Sequence, residues 1–200
     1  MSAPSTKELI LEVAQRRFAE QGPANTSLND IADEVGIARS SLLHHFPSKD
    51  ELRRAVVHES FESWVTLVDQ TIEEPRRGWP QVERLLRAAF RFFEERPDFV
   101  RLVRWEALEG GPILRDELTV HLKPLFERGA IFLEREMDAG RLRRYDARQL
   151  LLTGYGAVLS YLSDGQLMSG LLDTDPVSPE ALAARREHVI DVLRNAVALP

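Results

Sequence analysis

Apolar residues recur three and four positions apart along almost the whole chain, and glycine or proline cuts the runs into separate segments. Strict apolar/polar alternation, the mark of a half-buried strand, is absent. This periodicity predicts an all-α protein. The first segment carries Ile10, Leu11, Ala14 and Phe18 on one stripe and stops at Gly22-Pro23. Ser5 with Glu8, Ser27 with Asp30, and Ser48 with Glu51 have capping-box spacing, which predicts helix starts near residues 6, 28 and 49. Asp146 with Gln149, and Ser178 followed by Pro179, predict two more. Between them the spacing predicts a helix through Phe93, one from Phe99 to Gly110, and one from Ile113 to Asp138 that Pro124 should kink or split.

Composition narrows the function classes. With 44% hydrophobic and 29% charged residues, the 200-residue chain reads as globular rather than disordered. It holds no cysteine, which excludes a disulfide framework, a thiolate metal site and a thiol nucleophile. That usage fits a cytoplasmic protein. The N-terminus lacks the pattern of a signal peptide, and the most apolar run, residues 150–162, is too short to span a bilayer. The net charge of −6 argues against a protein that coats nucleic acid nonspecifically. Even residues 1–54 carry only seven Lys/Arg against eight Asp/Glu, so any grip on DNA must come from a few placed groups.

One stretch carries that possibility. Leu28, Ile31, Ala32 and Val35 make one amphipathic helix, Gly36 permits a left-handed turn, and a short third helix runs from about Ala38 to His45 with Leu42 facing inward. Two helices joined by a glycine-containing turn form a helix-turn-helix, whose second helix enters the DNA major groove. On the outer side of the third helix lie Arg39, Ser40, Ser41, His44 and His45. Small hydroxyls allow close approach, and arginine can pair with two acceptors on a guanine edge. A helix pair of this kind is also a common core element. His44 and His45 do not form a metal pair, because adjacent helical residues point about 100° apart. No nucleophile–base set and no metal-ligand spacing is present, so neither an enzyme nor a cofactor or metal site is expected.

The run TSLNDIADEVGIARSSLLHHFPSKDEL (26–52) resembles the DNA-binding segment of the TetR family of bacterial transcriptional regulators, matching at Thr26, Ile31, Ala32, Gly36, Leu42, His45, Phe46, Lys49 and Leu52. The resemblance implies a three-helix DNA-binding domain at residues 1–48 and a larger helical ligand-binding and dimerisation domain at 49–200. It assigns Thr26, Ser27 and Lys49 to phosphate, Arg39, Ser40, Ser41 and His44 to bases, and His45 to the DNA backbone. The implied protein is a homodimeric repressor on a near-palindromic operator, released by a small, mostly apolar effector. Two positions depart from the family pattern. Ala38 stands where a capping Ser or Thr is usual, and Leu43 where a tyrosine hydroxyl reaches phosphate. Weaker DNA binding, or its loss in a protein that senses a small molecule, is the competing expectation.

Trp64, Phe93, Trp105, His121 and Phe126 are the candidate lining of the effector cavity, although each taken singly reads as core. The helix near 146–169 is apolar on more than one side, and together with that at 178–199 it is the expected dimer interface. The fourth helix, starting at Lys49, is the expected route from effector to DNA.

Overall fold

A computed structural model of the chain describes residues 4–72 and 76–199. Among these, the regular structure is helical: α1 (Thr6–Gln21), α2 (Leu28–Val35), α3 (Arg39–His45), α4 (Lys49–Ile72), α5 (Trp79–Glu94), α6 (Pro97–Leu108), α7 (Pro112–Glu117), a π turn (Leu118–Leu122), α8 (Lys123–Asp138), α9 (Ala147–Ser163), α10 (Gly165–Leu172) and α11 (Pro179–Val197). One isolated antiparallel bridge pairs Leu142 with Ala198.

Helix starts are set by side chains that take up orphan amide protons. The Ser5 hydroxyl accepts from Glu8 N at 3.3 Å, while Ser5 N donates to Glu8 Oε2 at 2.6 Å. Ser27 and Asp30 make the same reciprocal pair. Ser48, Asp146 and Ser178 cap α4, α9 and α11 by accepting from Glu51 N, Gln149 N and Ala181 N. The expected capless start of α3 is also present: Ala38 is its N-cap and offers no side-chain bond.

Two long runs are interrupted, the first where Pro124 predicts a kink or split. The helix expected over 113–138 is two α-helices with the π turn between them. Pro124 has no amide proton, and its ring crowds the carbonyl four residues back, so the chain widens by one residue there. The run expected over 146–169 breaks at Asp164, which ends α9 and starts α10.

The chain divides into two compact units, Met1–Ser63 with Asp98–Leu118, and Trp64–Pro97 with Thr119–Pro200. This differs from the division expected at residue 48. The reason lies in α4, whose Arg53 and Arg54 pair with acids of the 98–118 segment. The first unit buries Ile10, Ala14, Phe18, Ile31, Ala32, Leu42, Phe46, Leu52 and Val56, with Phe61 edge-on to Phe99. In the second, α5 packs against α9 and α11, and α8 against α9.

Two carboxylates, one fully buried and one half-buried, tie the second unit together. Glu136 of α8 is fully buried and accepts from Arg141 Nε at 2.6 Å, Arg141 Nη2 at 2.8 Å and Gly78 N at 2.7 Å. Glu83 of α5 accepts from Trp79 Nε1 at 2.8 Å, from Arg87, and from Arg194 of α11 at 2.8 Å. Hydrogen bonds from Arg141 hold the Glu136 carboxyl down to about 2, and those from Arg194 hold Glu83 down to about 2. Because both folded-state values lie below the unfolded ones, their stabilisation is present above about pH 4.5 and is lost as pH falls toward 2. Glu136→Gln is expected to lower stability at pH 7 by about 2 kcal/mol and to flatten the decline of the thermal midpoint between pH 4.5 and pH 2. Parallel midpoint curves for the two proteins would contradict this.

Candidate nucleic-acid interface

The α2–α3 pair is built from the inside out. Ile31, Ala32 and Leu42 are buried in the first unit, as are Ile10, Ala14 and Phe18 of α1, and α2 packs against both α1 and α3. Gly36 joins the two helices at φ 77°, ψ 33°, a left-handed conformation that side-chain-bearing residues adopt at a cost. Ile37 N then reaches back to Ala32 O at 3.0 Å and closes the turn. With Leu42 pointing inward, a helical step of about 100° per residue turns Ser40 and His44 outward, with Leu43 and Ser41 on the flanks. Arg39, Ser40, His44 and His45 are exposed, and Ser41 and Leu43 are half-buried. The His44 and His45 rings meet edge-on with centroids 6.0 Å apart. The geometry offers a guanidinium, two hydroxyls and two imidazoles on one short rod, a set suited to base edges and phosphate.

Three residues expected at phosphate have distinct places. Ser27 is exposed at the start of α2. Thr26 is only 2% exposed, and its hydroxyl faces Arg17 O at 3.3 Å and Gly22 O at 3.0 Å. The hydroxyl thus ties the α1–α2 turn to α1 from the inside, instead of reaching outward. Lys49 is half-buried, and its ammonium donates to Pro23 O at 2.9 Å, Ala24 O at 3.3 Å and Thr26 O at 3.1 Å. Its three protons are all engaged by the carbonyls of that turn, so in this conformation Lys49 braces the turn from the first residue of α4.

Further supports had no local signature in the sequence. Arg53, one turn after Lys49, binds Glu106 and, at 2.7 Å, Glu109. Arg54 pairs with Asp116 at 3.2 Å, and His58 Nδ1 lies 3.1 Å from Glu117. Glu106 is fully buried, and a Cβ placed on Gly111 would lie 2.6 Å from its Oε2, so a side chain at 111 would require the carboxylate to shift. On the other side of α2, Glu34 pairs with Arg16 and, at 2.6 Å, Arg17. All these partners are separated by 17 or more residues, beyond the reach of any periodicity argument.

The residues expected to line an effector cavity are divided between the two units. In the second unit the Trp64 ring packs on Phe92 and Phe93, with centroids 5.2 and 5.0 Å away. His121 lies on the π turn and Phe126 in the first turns of α8, both half-buried. Trp105 belongs to the first unit, where its Nε1 donates to Ala19 O at 3.3 Å and its ring covers Gly22. There it supports the end of α1.

The geometry at Lys49 has a measurable consequence. Removing the ammonium would leave three carbonyls of the α1–α2 turn without their donor. Lys49→Ala is expected to destabilise the protein by roughly 1–3 kcal/mol, read as a lower urea midpoint. An unchanged midpoint, with a flatter salt dependence of DNA binding, would return Lys49 to a phosphate contact.

Comparison with known proteins agrees with this geometry. Residues 10–56 match the family described as bacterial regulatory proteins, tetR family, and residues 80–193 match the tetracyclin repressor-like C-terminal domain. The HTH-type transcriptional regulator RutR of Escherichia coli K12 is 28% identical over 155 residues, covering 78% of this chain and 73% of RutR. Among solved structures, the ketosteroid transcriptional regulator KstR2 of Mycobacterium tuberculosis superposes with TM-score 0.80 at 20% identity, covering 100% of this chain and 98% of that one. FadR of Bacillus subtilis, in complex with stearoyl-CoA, superposes with TM-score 0.73 at 17% identity, covering 92% and 96%. Among the described residues no helix is long and apolar enough to cross a membrane. The chain belongs to the TetR family of bacterial transcriptional regulators.

Proposed function

We propose that this regulator is a repressor that binds a near-palindromic operator as a homodimer and is released by a small, mostly apolar effector. The observation that carries the DNA-reading part is the accessible side of α3, where Ser40 and His44 stand exposed opposite the buried Leu42 and Arg39 stands exposed at the start of the helix. Arg39, Ser40, Ser41 and His44 read bases, while Ser27 and His45 contact the DNA backbone. Thr26 and Lys49 serve the same function from behind, by holding the turn that presents Ser27 and α2.

Dimerisation is supported by the outer faces of α9 and α10. Leu152 and Tyr155 are 51% and 58% exposed, and Leu167 and Leu171 are 63% and 68% exposed. Gly154 and Gly156 have open space where a Cβ would stand, which suits close approach of a second helix. From α11, Val192 is 52% exposed. An apolar surface of this kind is costly to leave in water. A two-fold axis in such a dimer matches the symmetry of a near-palindromic operator.

The effector is taken up by the second unit, with Trp64, Phe93, His121 and Phe126 as its contacts. A complex with stearoyl-CoA in the similarly folded FadR supports an effector with a large apolar part. The signal travels along α4, which begins at Lys49 in the first unit and ends in the second. Effector binding must be tighter in the conformation that cannot span both half-sites, since only differential affinity shifts an equilibrium. The protein acts in the cytoplasm, where its DNA is. A second reading, a sensor that has lost DNA binding, draws on the capless Ala38 and on Leu43.

The test uses a duplex selected by the protein from a randomised library. Arg39→Ala is expected to weaken binding to that duplex by about 1–3 kcal/mol and to relax the preference at one base pair per half-site. Tyr155→Glu is expected to convert the protein to monomer in light scattering and to abolish tight binding. If both variants bind as the wild type does, the reading face and the dimer surface are misassigned.

A further inference from the structure

Leu43 is the one apolar side chain on the accessible side of α3. It is half-buried, one helical turn from Arg39 and flanked by Ser40 and His44, all three of them exposed. An isolated apolar surface residue needs no explanation in general. On a helix whose other accessible positions are all polar and charged, it does. Leu43 can neither donate to a phosphate nor accept from a base amino group. The major groove offers one apolar feature, the C5-methyl group of thymine.

We infer that Leu43 is a specificity-determining residue that packs on a thymine methyl group, so that each half-site of the operator carries a thymine at that step. The inference rests on the proposed DNA-reading role of α3. Its geometry follows from the same arrangement: Leu42 fully buried sets the rotation of the helix, and that rotation places Leu43 beside the Ser40–His44 line. A base-facing leucine gives up whatever a hydroxyl at this position would contribute to phosphate affinity, and gains discrimination between T·A and the other base pairs.

Deoxyuridine isolates the contact, because it keeps every hydrogen-bonding group of thymidine and lacks only the methyl. The selected duplex is resynthesised with each thymidine of a half-site replaced in turn by deoxyuridine. One symmetric position is expected to weaken wild-type binding roughly fourfold per half-site, the value of one buried methyl group. Leu43→Ala is expected to bind the thymidine and deoxyuridine duplexes equally, while Leu43→Met, which keeps an apolar reach, should retain the difference. Circular dichroism melting of each variant separates loss of contact from loss of fold. Equal wild-type binding to every deoxyuridine duplex overturns the inference while leaving DNA reading intact. So does an undiminished methyl effect in Leu43→Ala. Failure to select any duplex overturns the DNA-reading proposal, and this inference with it.

Discussion

The ammonium of Lys49 sits among the carbonyl oxygens of Pro23, Ala24 and Thr26, and the presentation of the reading helices depends on that clasp. The α1–α2 turn has just left a helix, so its carbonyls have no intrahelical partners, and unpaired carbonyls are costly where water is scarce. Supplying three donors from the first residue of α4 settles the turn and fixes where α4 begins. The buried Thr26 hydroxyl closes the same turn from below. The position of α2, and through Gly36 that of α3, follows from this local arrangement rather than from the small apolar core alone.

A second theme is how a chain with a negative net charge positions its arginines. Many are engaged by carboxylates within their own unit: Arg53 by Glu106 and Glu109, Arg141 by Glu136, and Arg87 by Glu83 and Glu187. Fully buried Glu106 and Glu136 each hold an arginine at a helix junction, where a bidentate or shared pair sets orientation as well as distance. Arg39 belongs to a different group, standing exposed on a helix whose only inward anchor within it is Leu42. Internal pairing of these arginines leaves the reading surface a matter of a few side chains, as the charge count of residues 1–54 implies.

Local chemistry was legible in the sequence, and distant chemistry was not. Ser5, Ser27, Ser48, Asp146 and Ser178 announce their helices because a cap needs only a partner three residues away. Pro124 announces a disturbance, but whether the chain kinks, splits or widens into a π turn depends on what packs around it. The exposed face of α3 could be read from the single inward position of Leu42. The roles of Lys49, Thr26 and Trp105 could not, because each is decided by carbonyls that folding brings from 4 to 86 residues away. The boundary between the compact units was hidden for the same reason: α6 and α7 join the first unit through Glu106, Glu109, Asp116 and Trp105.

The most direct test of the account is retention of fragmented genomic DNA from the source organism by the purified protein, at moderate and at low salt, followed by sequencing. The account predicts a shared near-palindromic sequence with two half-sites about one helical turn apart, enriched at moderate salt. Retention of fragments without a common sequence, or at low salt only, would contradict it, because a few placed side chains on α3 would then not be reading bases.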